Sequence, residues 1–260
     1  MRAVSTDRIA WLVALEGVAS AYASTRDGID AMLRDRGLRK TDPQTTAEAL
    51  AIGAHASAVL EGSRSTLAEM ADGGGDEIAQ DSLRLSASVL SLVPLMKQAP
   101  LQAFARLHAV AAGTALPAEQ LGRPRDAASA SRLRTVSELI LSDTSAPALL
   151  VAAMVHGDIA TAKPFASHNG IVARAAERLV IVSRGVDPKS LMVTEAGHLA
   201  LREQYESNLR AYASATQRGV HAWALYSSEA YAKGMELSPL PPVKRRRRDA
   251  EPVDLAELDD

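Results

Sequence analysis

The stretch Lys163-Pro164-Phe165-Ala166-Ser167-His168-Asn169-Gly170-Ile171-Val172-Ala173-Arg174 gathers the residue types best suited to chemistry in this chain. Gly170 permits a tight turn, and the free backbone N–H groups at the start of a following helix can hold an anion. Arg174, one turn further on, adds a charge that can face the same anion or pair with a carboxylate. Read without context, this is a phosphate-compatible loop and equally an ordinary helix–turn–helix connection. Ser167 beside His168 supplies a nucleophile and a base by type, but neighbouring side chains rarely point at each other, so no nucleophilic pair is expected. His55, His108, His198 and His221 are scattered through helical patterns and read as surface or satisfied core residues. No spacing marks a metal site. Cysteine is absent, which excludes disulfides, zinc thiolates and cysteine nucleophiles.

Helices must position this loop. Apolar residues at three- and four-residue spacing predict a helix over 9–23, and 27–36 reads as a short one ending near Gly37. Thr41-Asp42-Pro43 opens an alanine-rich helix towards Gly62. Further helical patterns cover 78–93, 101–112 and 127–141, separated by proline- and glycine-containing loops. Pro147 opens the apolar helix that runs into Pro164, and the next helix leads from Gly170 to Ser183. Thr194 reads as an N-cap, and a last helix covers 216–235. Trp11 and Trp223 read as core or interface residues. No strand run and no internal repeat is visible.

The chain of 260 residues is 47% hydrophobic but only 3% aromatic, so its core must be Ala, Leu and Val packed between close helices. A net charge of −2 gives no global reason for nucleic-acid or membrane binding. Glu16 and the helical period of the N-terminal apolar stretch argue against a removed leader, no stretch is long enough for a membrane span, and a cytoplasmic location is expected. Asp72-Gly73-Gly74-Gly75-Asp76 reads as a flexible break. It divides an N-terminal helical module, 1–75, from a helical core, 76–237. A charged tail, 238–260, carries a basic run from Lys244 to Arg248 before an acidic end and is expected to be disordered. That run is either an anchor for nucleic acid, acidic protein or lipid, or a solvating segment neutralised by its acidic neighbour. The missing aromatics favour the second.

The loop resembles the active-site motif of Fic-domain proteins, His-Pro-Phe-x-(Asp/Glu)-Gly-Asn-Gly-Arg-x-x-Arg, which joins two helices. Pro164, Phe165, Asn169, Gly170 and Arg174 match it at the right spacing, and His156 stands where many members carry a histidine. Independently, Ser57-Ala58-Val59-Leu60-Glu61-Gly62 resembles the family's inhibitory motif, (Ser/Thr)-x-x-x-Glu-(Gly/Asn). The resemblance implies an all-α Fic-like helical bundle in which Glu61 reaches Arg174 and obstructs nucleotide binding.

Lys163, Ser167, His168 and Ile171 depart from the motif. In the family the histidine acts as base, the acidic residue holds a metal, and the first arginine clamps phosphate. A lysine, with a reference pKa of about 10.4, stays protonated unless strongly desolvated and cannot accept that proton, although it can bind phosphate as a point charge. Serine is a poor magnesium ligand, His168 adds bulk where the family has glycine, and Ile171 offers no donor. The resulting expectation is a pseudoenzyme with no confident catalytic residue, no metal site and no required cofactor. It would act as an interaction or regulatory module for a protein partner that the sequence does not identify. Weak ATP or phosphate binding would fall to Lys163, Asn169, Gly170 and Arg174, with Ser57, Glu61 and Gly62 as the inhibitory-type motif. Two other readings remain: a non-standard transferase of AMP or another phosphate-containing group using Lys163 and His168, and a nucleic-acid-associated regulator working through the tail. Family members often self-associate, so a homo-oligomer is among the expected partners.

Overall fold

Alanine and leucine favour helix along most of this chain, and prolines and capping side chains mark where each helix starts. A computed structural model describes residues 7–34 and 43–240, and among these there are helices and no strand. The helices are α1 (Ala10–Val13), α2 (Val18–Met32), α3 (Pro43–Leu60), α4 (Leu67–Ala71), α5 (Glu77–Val89), α6 (Val93–Gln98) and α7 (Pro100–Ala112). They are followed by α8 (Ala127–Leu141), α9 (Ala148–Ala162), α10 (Asn169–Ser183), α11 (Thr194–Ala200), α12 (Arg202–Ala213) and α13 (Gln217–Glu236). None of the described helices is long and apolar enough to cross a membrane.

At the centre lie α9 and α10, packed against each other. Residues 149–159 of α9 and 171–182 of α10 are buried without interruption, as expected for helices surrounded by others rather than lying on a surface. α13 covers α9, α11, α12 and α2, while α5, α6 and α7 close over α10. Gly197 is needed for the close approach of α11 to α13, because a Cβ there would overlap the Ala230 carbonyl oxygen. Val193 N donates to Gly234 O at 3.0 Å across the same contact.

The N-terminal helices join this core. The Tyr22 hydroxyl on α2 donates to Ala224 O at 3.0 Å, and α3 packs on α5 and α11. The single helix expected over 9–23 is instead broken: Gly17 adopts φ 77°, a left-handed conformation, so α1 ends and α2 starts in a new direction. α2 then runs through the start of the expected 27–36 helix. Trp11 is 44% exposed, whereas Trp223 is buried with its Nε1 donating to Ala153 O at 2.8 Å.

After Glu61 the chain is strapped down locally. Thr66 and Glu69 form a capping box at α4. Asp76 caps α5 by accepting from Ala79 N at 2.9 Å, and it also accepts from Ser63 Oγ at 2.8 Å and Arg64 N at 3.2 Å. The glycine run at 73–75 is therefore a hydrogen-bonded turn, with Gly73 and Gly75 at φ 78° and 101°. At the other end Leu240 packs into the core. The rest of the proposed tail, including Lys244 and Arg248, lies outside the described residues, as do Thr41 and Asp42.

Candidate functional site

The loop between α9 and α10 opens and closes on left-handed residues. Lys163 caps α9 at φ 45° and is exposed, and His168 precedes α10 at φ 56°. Two side chains fix its shape. Phe165 is buried and stacks on His108 with ring centroids 4.4 Å apart. Asn169 accepts from Phe165 N at 2.9 Å and donates to Phe165 O at 3.0 Å. Both polar ends of the Asn169 side chain are thus engaged within the loop. Arg125 N adds an outer tie, donating to Pro164 O at 2.9 Å.

Ser167 and His168 do meet, contrary to the expectation from their adjacency. Ser167 Oγ lies 2.6 Å from His168 Nδ1, and His168 Nε2 lies 2.7 Å from Asp81 Oδ2 on α5. The left-handed backbone at His168 accompanies this side-chain contact, which an extended or helical spacing argument does not anticipate. Asp81 is in turn held by Arg84. Ile171 is buried in the main apolar cluster, so the position that carries the phosphate clamp in the resembling motif is here a core contact.

Arg174 is buried on the face of α10 that receives the end of α3. Its Nε donates to Ser57 Oγ at 2.9 Å, Nη2 to Ser57 O at 3.1 Å and to Glu61 Oε1 at 2.7 Å, and Nη1 to the Tyr205 hydroxyl at 3.1 Å. Burial works against its charge, but Tyr205 and Glu61 outweigh that and hold the guanidinium above its ordinary range. Glu61 is partly exposed and lies over Gly170, where an added Cβ would overlap Oε1. Its carboxylate therefore sits at the start of α10, where the helix dipole and uncapped N–H groups favour an anion. Gly62, at φ 100°, lets the chain turn away immediately afterwards.

Behind Arg174 lies a second polar group that the sequence spacing does not reveal, because its members come from five helices, α9 to α13. Glu177 Oε1 is 3.1 Å from His156 Nδ1 and accepts from the Tyr231 hydroxyl at 2.8 Å, while Oε2 is 3.0 Å from His198 Nε2. The far ring nitrogens meet Tyr205 at 3.0 Å and Tyr226 at 2.9 Å. Burial alone would raise the Glu177 carboxyl, but the two imidazoles hold it below the usual carboxylate range; His156 is itself lowered by burial. One ligand atom from each of His156, Glu177 and His198 lies within 4.8 Å of the others, a donor set of the kind that holds a divalent cation. Neutral imidazoles giving N–H to an ionised carboxylate account for the same geometry without an ion, apart from the off-line approach of His156 Nδ1. Tyr205 connects this network to Arg174.

No protein-family model and no curated protein sequence matches the chain. Solved structures do. A Fic family protein from Desulfovibrio desulfuricans G20 superposes with a TM-score of 0.71 at 14% identity, over 86% of this chain and 74% of that one. A segment of Fic-1 from C. elegans superposes with a TM-score of 0.61 at 15% identity, over 84% and 72% of the two chains. These likenesses establish the fold: the chain is an all-α protein with the Fic fold.

Proposed function

We propose that this chain is a degenerate Fic-like protein that works as an interaction or regulatory module, with at most weak binding of nucleotide or phosphate. The observation that carries this reading is the seat of Glu61. Its carboxylate lies over Gly170 and 2.7 Å from Arg174 Nη2, so it stands where an incoming phosphate would find its helix start and its cation. In the resembling motif that glutamate is inhibitory, and here the groups that would carry out the transfer are also replaced. Lys163 stands in place of the base, Ser167 is turned to His168 rather than left free for a metal, and Ile171 is buried in the core. General-base catalysis contributes about 10²- to 10⁴-fold to such reactions, and preorganised charge adds a term at least as large. Their joint loss favours a scaffold over a transferase.

Isothermal calorimetry with ATP, in the presence and absence of magnesium, tests the reading on the full chain and on Glu61→Gly. The expected result is weak or undetectable binding by the natural sequence and a modest gain in Glu61→Gly that does not depend on magnesium. Tight magnesium-dependent binding would sink the pseudoenzyme reading and favour an active transferase.

A further inference from the structure

We propose that Ser167, His168 and Asp81 form a nucleophile–base–positioning relay through which Ser167 accepts acyl groups from small carboxylic esters. This goes beyond the reading above, since it requires neither nucleotide nor metal. The geometry is a continuous chain: Ser167 Oγ to His168 Nδ1 at 2.6 Å, then His168 Nε2 to Asp81 Oδ2 at 2.7 Å. A neutral imidazole satisfies both links. An ionised Asp81 accepts Nε2–H, which leaves Nδ1 as the acceptor for the serine O–H. These are the roles of nucleophile, base and orienter in serine hydrolases, with the two ring nitrogens exchanged.

The relay is anchored at both ends. Asp81 is buried on α5 and held by Arg84, whose Nε and Nη2 also donate to Val110 O at 2.8 Å and Ala111 O at 2.7 Å. Ser167 projects from a loop fixed by Phe165 and Asn169. His168 holds a left-handed backbone, φ 56°, that a non-glycine residue adopts at an energetic cost, and such strain tends to persist where surrounding structure imposes it. Ser167 is half-buried and the His168 side chain is 14% exposed, so a small ester can reach the hydroxyl while bulk water is partly kept from the ring.

In the first step Ser167 Oγ bonds to the ester carbonyl carbon and its proton passes to His168 Nδ1. The ester C–O bond then breaks and the alcohol leaves with that proton. Water repeats the sequence on the acyl-serine, releasing the carboxylic acid and restoring the hydroxyl.

Full-length protein treated with a fluorophosphonate probe, mapped by peptide mass spectrometry, tests the proposal together with hydrolysis of p-nitrophenyl acetate. In the labelling reaction Ser167 Oγ bonds to phosphorus and fluoride leaves, with the serine proton taken by His168. Native protein is expected to label at Ser167 and denatured protein is not. Ser167→Ala should abolish label and turnover, and His168→Asn, which tolerates the left-handed backbone, should slow both at least a hundredfold while melting normally. Asp81→Asn should slow labelling about tenfold and displace its pH profile, a readout that a merely structural role would not move. An unlabelled Ser167, a rate that climbs steadily with hydroxide concentration, or equal labelling in His168→Asn would overturn the proposal. Loss of nucleotide binding would leave it untouched.

Discussion

Arg174 is the residue on which the site turns. A buried guanidinium needs its donors matched, and Ser57, Tyr205 and Glu61 supply acceptors to Nε, Nη1 and Nη2. Replacing Glu61 by Gln keeps one acceptor but removes the counter-charge; because Glu61 is partly exposed, the expected loss is about 1–2 kcal/mol, read from chemical denaturation. Gly170→Ala reaches the same pair from the other side, since its Cβ would push the flexible Glu61 carboxylate aside rather than displace backbone. The melting temperature should fall by only a few degrees. A second residue-scale expectation concerns acid. Burial first, and then the charge of His168, lowers His108 from 6.5 to about 4, so its neutral form is favoured in the fold. Its contribution is fully present above the unfolded value and declines as pH falls from about 6.5 towards 4, at up to about 1.4 kcal/mol per pH unit. His108→Asn, which can still accept from Gly122 N, should flatten that slope in denaturant titrations at pH 7, 6 and 5. The Glu61–Arg174 contact was legible because two short motifs named both partners. The Ser167–His168 contact was not, because spacing rules assume ordinary backbone and His168 is left-handed.

At the scale of elements, the strap from α3 to α5 sets where Glu61 sits. Asp76 both caps α5 and ties Ser63 and Arg64, just after Glu61 and Gly62. Asp76→Ala should cost about 1–3 kcal/mol, more than an isolated cap, because it also frees the Ser63 hydroxyl. Hydrogen exchange should rise first at residues 62–66. Helices bounded by strong punctuation were readable from the sequence: α8 follows the Asp126 cap and α9 follows Pro147. The break at Gly17 was not, since the apolar period continues through it and only packing against α13 reveals the left-handed turn. The glycine run at 73–75 looked like a flexible break because its composition does not show the hydrogen bonds that close it.

Across the whole molecule, the all-α architecture followed from composition: with few aromatics, alanine-rich helices pack closely and bury α9 and α10 on all sides. What composition could not convey is how polar the centre is, with Arg174, Glu177, Arg178, His156 and His198 all buried. Arg174, Glu177 and Arg178 lie on α10, His156 on α9 and His198 on α11, and their pairing depends on the three-dimensional arrangement of these helices. The same arrangement forms a largely hydrogen-bonded polar core, which holds the helices together independently of any transfer chemistry. The most direct test is transfer of label from α-labelled ATP to protein by Glu61→Gly in the presence of magnesium. No transfer above background is expected, with or without added target proteins. Magnesium-dependent labelling of a protein hydroxyl would contradict the account, because it would show that the loop at Lys163, Ser167 and Ile171 still performs the reaction.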